Sequence, residues 1–158
     1  MTLAADIITY ISNHTDTSVY DALTGGLYDW NATNGVTGIT YDNEPNAFTI
    51  SNNIPLLNPL MIVRTNAVDP THYITDPVSR KQSGKHLIQM FLYEHQAYNV
   101  ITQVANDLYD MFHEQVIIDF KANTKYIGGN HRRNAIDISG AMFIRLDFLF
   151  EGLIQTIM

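Results

Sequence analysis

Near the end of this chain an apolar pattern of helical period gives way to one of strand period, and that switch constrains the fold more than any other feature. Ala97, Val100, Ile101, Val104, Ala105, Leu108, Met111 and Phe112 recur at helical spacing. Met142, Ile144, Leu146, Phe148 and Phe150 recur at every second position, with Arg145 and Asp147 between them. A helix with one apolar stripe and a strand with one apolar face must each bury it, and each can cover the other. A helix laid across a sheet is the expected outcome.

The rest of the chain fits around that pair. Leu3, Ile7, Ile8 and Ile11 mark a short first helix with Thr2 as its N-cap, and 18–23 reads as a second helical piece broken by Gly25-Gly26. A brief strand is expected at 27–30. The segment 31–59 carries Gly35, Gly38, Pro45, Pro55 and Pro59 and reads as loop with one or two edge strands, at 39–41 and 47–50. Strands are expected at 60–65 and 86–94. The long stretch between them holds Pro70, Pro77 and Gly84, and is read as a protruding arm into which both strands continue.

The main helix is expected over 96–113, a strand over 116–120 and a loop over 123–134 with Gly128-Gly129 at its tip. A final strand is expected over 136–149, interrupted near Gly140. The order predicts a single α+β domain: a mostly antiparallel β-sheet with two helices packed on one face, and a protruding hairpin or long loop.

Composition narrows function more than fold. Only 16% of the 158 residues are charged, against about 25% in typical soluble domains. Asn, Thr and Ser replace the missing charge, a surface suited to protein–protein contact, whose centres are depleted in charge. A net charge of −7 argues against general phosphate binding. With no cysteine, disulfides and thiolate zinc sites are excluded. No basic leader precedes an apolar run at the N-terminus, and no apolar run approaches the roughly 20 residues that span a bilayer. The expectation is a chain made and used in the cytoplasm, or packed into a particle assembled there.

Catalytic patterns are weak. The six histidines lack ligand spacing, and His113-Glu114 has no second histidine one helical turn on. Ser83-Gly84-Lys85 lacks the upstream glycine and following hydroxyl of a phosphate loop. Residues 129–134 share a few letters with the core of an HNH nuclease, but the alternating residues after them offer no helix to return a further metal ligand. No metal, no cofactor and no catalytic residue is expected. The sharper candidates are contact residues. Asp107, Asp110 and Glu114 form an acidic row on the polar side of the main helix, either a solvated face or a partner for a basic loop of another copy. Seven of the nine basic residues fall in 80–85 and 121–133, and two groups stand out: Arg80, Lys81 and Lys85, and His131, Arg132 and Arg133. Placed on loops, these would face a neighbouring copy or passing DNA. Reversing Arg132 and Arg133 together is expected to spare the fold and impair assembly.

The layout resembles the tail-terminator (tail-completion) proteins of long-tailed bacteriophages. Gly26-Leu27-Tyr28-Asp29 looks like that family's brief strand after a short helix. Pro59-Leu60-Met61-Ile62-Val63 is similar to its proline followed by an apolar strand. His86-Leu87-Ile88-Gln89-Met90-Phe91-Leu92-Tyr93 leads into the helix at 97–112, and 135–138 with 142–148 resembles the closing strand. The resemblance implies a virion protein of the tail or neck, assembled in the host cytoplasm. It would form a homo-oligomeric ring, usually a hexamer, that caps the tail tube, stops its growth and joins it to the head-neck connector. The implied partners are other copies, the tail tube protein and the connector protein, with non-specific DNA contact in the channel and no membrane. The family has no catalytic residues to transfer. The 31–59 segment is longer than the family's connection. Head-completion or adaptor proteins of the neck are alternatives, and a small soluble enzyme using His95, Asp107 or His113 is the alternative from another class.

Overall fold

Four helices and a six-stranded sheet account for most of the described chain. The computed structural model describes residues 3–76, 81–117 and 122–155, with side chains described outside 67–84, 116–123 and 151–155. In chain order the elements are α1 (Leu3–Ser12), α2 (Ser18–Ala22), β1 (Gly26–Asp29), α3 (Trp30–Thr33), β2 (Phe48–Ser51), β3 (Ile54–Leu57), β4 (Leu60–Asp76), β5 (Lys81–His95), α4 (Ile101–Phe112), β6 (Gln115–Ile117), β7 (Ala122–Asn134) and β8 (Ala141–Gln155). The main sheet runs β1-β4-β5-β8-β7-β6, with β1 parallel to β4 and every other pair antiparallel. This is the mostly antiparallel α+β fold that the periodicity requires.

Strand alternation sends two sets of residues to opposite faces. Met61 and Val63 of β4, Ile88, Met90 and Leu92 of β5, and Ile144, Leu146, Phe148 and Phe150 of β8 are buried on one face. There they meet Ile7 and Ile11 of α1 and Val104, Leu108 and Phe112 of α4. The first helix and the main helix therefore share one face, with Val19 of α2 joining them. The other face carries Leu60, Ile62, Tyr93, Ala141 and Phe143.

That second face is covered by the segment that reads as loop. Asp29 caps α3 by accepting from the Asn31 backbone N–H at 3.0 Å. Short 3₁₀ turns at Gly35–Gly38 and Pro45–Ala47 follow, then the β2–β3 hairpin as a separate sheet. Asn52 and Asn53 join β2 to β3 with φ of 51° and 64°, the two left-handed residues a tight hairpin turn needs. Val36, Ile39, Ala47 and Leu57 from this excursion pack on Leu60 and Ile62. Pro55 is tolerated because β3 is an edge strand.

Several boundaries differ from the sequence expectation. The main helix begins at Ile101 and not at 96, because the backbone turns at 96–100; Ala97 is exposed and off the stripe. The 123–134 segment is strand β7 and not a loop. Its paired glycines sit in mid-strand, at a register shift between Tyr126 and Gly128. The last strand starts at Ala141, leaving Ile136 in the turn before it, 93% exposed. Only 115–117 of the strand expected at 116–120 is described, and 118–121 lies outside the described residues.

Gly129 is fixed by its neighbour: a Cβ there would stand 2.0 Å from the Arg145 carbonyl oxygen, at a φ of 153°. Gly129→Ala is expected to cost about 2 kcal/mol or more by forcing β7 off β8. Urea unfolding of the variant checks this, and a change below about 0.5 kcal/mol contradicts the close approach.

The expected arm is present in the backbone. β4 and β5 stay paired as far as Asp76 and Lys81, and β8 joins them, with Gln155 opposite Lys81. Pro70 falls in an unpaired gap of β4, between Asp69 and Tyr73, where it removes no ladder bond.

Candidate assembly surfaces

The sequence candidates divide among three places. Arg80 lies outside the described residues. Lys81 is placed in register between Asp76 and Gln155 at the outer end of the arm. Lys85, exposed, stands in register between Asp69 and Glu151 nearer the core. Opposite charges directly across an antiparallel pair favour that register.

Asp107 and Asp110 share a cleft of about 320 Å³ on the helix layer with Tyr10, His14, Asp16, Met111 and Gln115. Asp107 accepts a hydrogen bond from Gln103 Nε2 at 2.9 Å, and Asp110 is exposed. Glu114 does not continue the helical row. The helix ends at Phe112, and Glu114 takes a left-handed φ of 56° while its N–H donates to the Thr124 carbonyl at 2.6 Å. Asp16, from the turn before α2, is the carboxylate that joins the cleft instead, and its hydrogen bond from the Ser18 backbone N–H holds its carboxyl below the usual range. No periodic pattern links residues 16 and 107.

His131, Arg132 and Arg133 are neither a loop nor a single patch. Arg132 reaches the buried carboxylate of Glu94, forming an ion pair between Nη1 and Oε2, and its Nη2 donates to the Tyr98 carbonyl at 3.0 Å. Glu94 Oε1 accepts from the backbone N–H groups of Val100 and Ile101, at 2.9 and 3.1 Å. The sheet thus caps its own helix. Arg132 is therefore structural, and reversing its charge is expected to disturb the fold. Arg133 goes to the other face, where its guanidinium lies 4.6 Å from the centre of the Phe143 ring. His131 is exposed.

On that other face, Arg133 borders a groove of about 190 Å³ lined by aromatic residues. Trp30 packs on Phe91 at 4.9 Å and Tyr93 on Phe143 at 5.7 Å, while Arg64 sits 5.1 Å over the Trp30 ring. Arg145, Asn130, Ile136 and Asp137 complete the rim. Arg145 Nη2 pairs with Asp147 at 3.1 Å, but its buried Nε has no hydrogen-bond partner among the described residues. Burial pushes the Tyr93 hydroxyl up to about 12, with the Asp137 charge adding to it.

The histidines of the enzyme alternative are engaged locally. His95 Nδ1 accepts from the Ala97 N–H, and His113 Nδ1 from the Tyr126 N–H, both at 3.0 Å. Among the described residues no three His, Asp or Glu side chains are grouped to hold a metal ion. No helix among them is long and apolar enough to cross a membrane.

No protein-family model, no curated protein and no solved structure matches this chain.

Proposed function

We propose that this chain is a structural subunit of a homo-oligomeric virion ring. The ring caps the tail tube of a long-tailed phage, blocks further tube growth and joins the tail to the head-neck connector. The observation that carries the reading is the arm. Three paired strands run on past Val63, Ile88 and Phe150 to Asp76, Lys81 and Gln155. Ribbons of few strands are marginal in water unless something packs on them, and an adjoining chain supplies that contact. The low charge content and the unlike surfaces on the two layers of the molecule support the same reading.

The test is negative-stain imaging and light scattering of the purified chain, alone and with tail tubes. Rings and capped tube ends are expected. A chain that stays monomeric at all concentrations and leaves tubes growing contradicts the proposal. Binding to connectors without binding to tubes would move the chain to a different position in the neck.

A further inference from the structure

The aromatic groove and the acidic cleft are complementary, and we infer that they meet between successive copies of this chain as a heterologous contact. The inference rests on the ring reading and deepens it by naming the surfaces that pair.

The groove side presents an exposed apolar side chain next to an exposed cation. Ile136, at 93%, is the most exposed large hydrophobic residue described, and it stands on the groove rim beside Arg133. Arg133 is exposed, and a carboxylate is the strongest partner for its guanidinium.

The cleft side offers the matching charge in one place. Its lining includes Met111 and Tyr10 on the helix layer. Its rim carries Asp16, Asp107 and Asp110, and its lining holds no lysine or arginine. A groove edged by Arg133 and an exposed isoleucine, with Asp137 as the one carboxylate of its lining, thus matches a cleft edged by three carboxylates.

Geometry decides the type of association. Tyr10 and Met111 belong to the core on the helix side of the sheet, while Phe143 and Ala135 belong to the core on the opposite side. One copy cannot close its own cleft with its own groove. Each copy offers its groove to the next copy's cleft, and such a contact builds a ring where the rotation closes.

The experiment uses the full chain with two double variants. Ile136→Asp with Arg133→Glu removes the groove side, and Asp107→Lys with Asp110→Lys removes the cleft side. All four positions are exposed or half-buried, so both variants should melt cooperatively near the wild type by circular dichroism. Ile136→Ser alone replaces the first variant if losing the Arg133 stack on Phe143 disturbs it. Light scattering on a sizing column is expected to show wild-type assembly and at least about tenfold weaker self-association in each variant. Mixed in equal amounts, the two variants retain one good interface between them. They should form a one-to-one pair of twice the chain's mass and nothing larger.

Variants that still form rings overturn the contact and leave the ring reading standing. A folded mixture that stays monomeric also overturns it, and points to an acidic segment of another protein as the groove's occupant. If the wild type assembles only on tube ends, tubes left uncapped by each variant support the contact, and capping by either one refutes it. A wild type that neither assembles nor caps tubes removes both readings together.

Discussion

Val104→Asp is expected to leave the chain unfolded or aggregated at neutral pH. Val104 is 1% exposed, at the centre of the α4 stripe, in the same apolar cluster as Leu146 and Phe148. The change removes about 1.5–3 kcal/mol of side-chain burial. It also places a carboxylate among the aliphatic and aromatic side chains of that cluster, at a cost of several kcal/mol for a buried charge. A domain of this size has a total stability of roughly 5–15 kcal/mol, so the two losses consume most of it. The sign with pH follows from the introduced group. Burial raises its folded pKa above the unfolded value, so the neutral form is preferred in the fold. The damage is therefore smallest below the unfolded carboxyl pKa of about 4, and grows as pH rises through the folded value. Circular dichroism melts at pH 4 and pH 7 check this. Leu146→Asp on the facing strand should behave alike. A soluble variant melting cooperatively at pH 7 would mean that α4 does not lie on the sheet by this face.

How far the sequence foretells this molecule depends on the range of the forces involved. The faces of α4 and β8 were legible because burial repeats along a single element, and Val104, Leu108, Leu146 and Phe148 obey their own local period. The arm was legible from the same alternation in the two strands that enter it. What was lost depends on partners distant in the chain. Strand β7 reads as a loop because Gly128-Gly129 looks like a turn; only the approach of the Arg145 backbone explains why glycine stands in mid-strand. The 31–59 excursion has no period of its own, since its buried residues come singly from short turns, and it is organised by the sheet face it covers.

The contact candidates divide the same way. Asp107 and Asp110 share a surface because they sit one turn apart on α4, while Asp16 reaches them through folding alone. Arg132 and Arg133 are adjacent in sequence and look like one basic patch. β7 sends them to opposite faces, and only Arg133 borders a groove. The groove itself had no sequence signal, because Trp30, Phe91, Tyr93 and Phe143 come from α3, β5 and β8.

Glu94→Ala is the second large expected effect, about 3–5 kcal/mol of stability lost. Glutamate at the end of a strand looks like an ordinary solvated residue, yet here it is fully buried. Its neighbour in the fold is a helix with no cap of its own: Val100, at the N-cap position, is already helical in conformation and makes no side-chain cap bond. The first N–H groups of a helix need acceptors, and Glu94 Oε1 serves two of them while Oε2 holds Arg132. Alanine would strand two helix N–H donors and one guanidinium at once. Glu94→Gln keeps an oxygen for the helix but loses the ion pair, so it should fall between alanine and the wild type. Arg132→Ala leaves a buried carboxylate held only by the two N–H groups, and is expected to destabilise as well. A double-mutant cycle on Glu94 and Arg132, read by urea unfolding, should return a coupling above about 1.5 kcal/mol. Hydrogen exchange gives the local view: Ile101 and its neighbours in the first turn of α4 should lose protection ahead of Leu108 and Phe112. Additive single effects, with the first turn still protected, would mean that α4 does not depend on the carboxylate, and that Arg132 is free after all to serve as a surface contact.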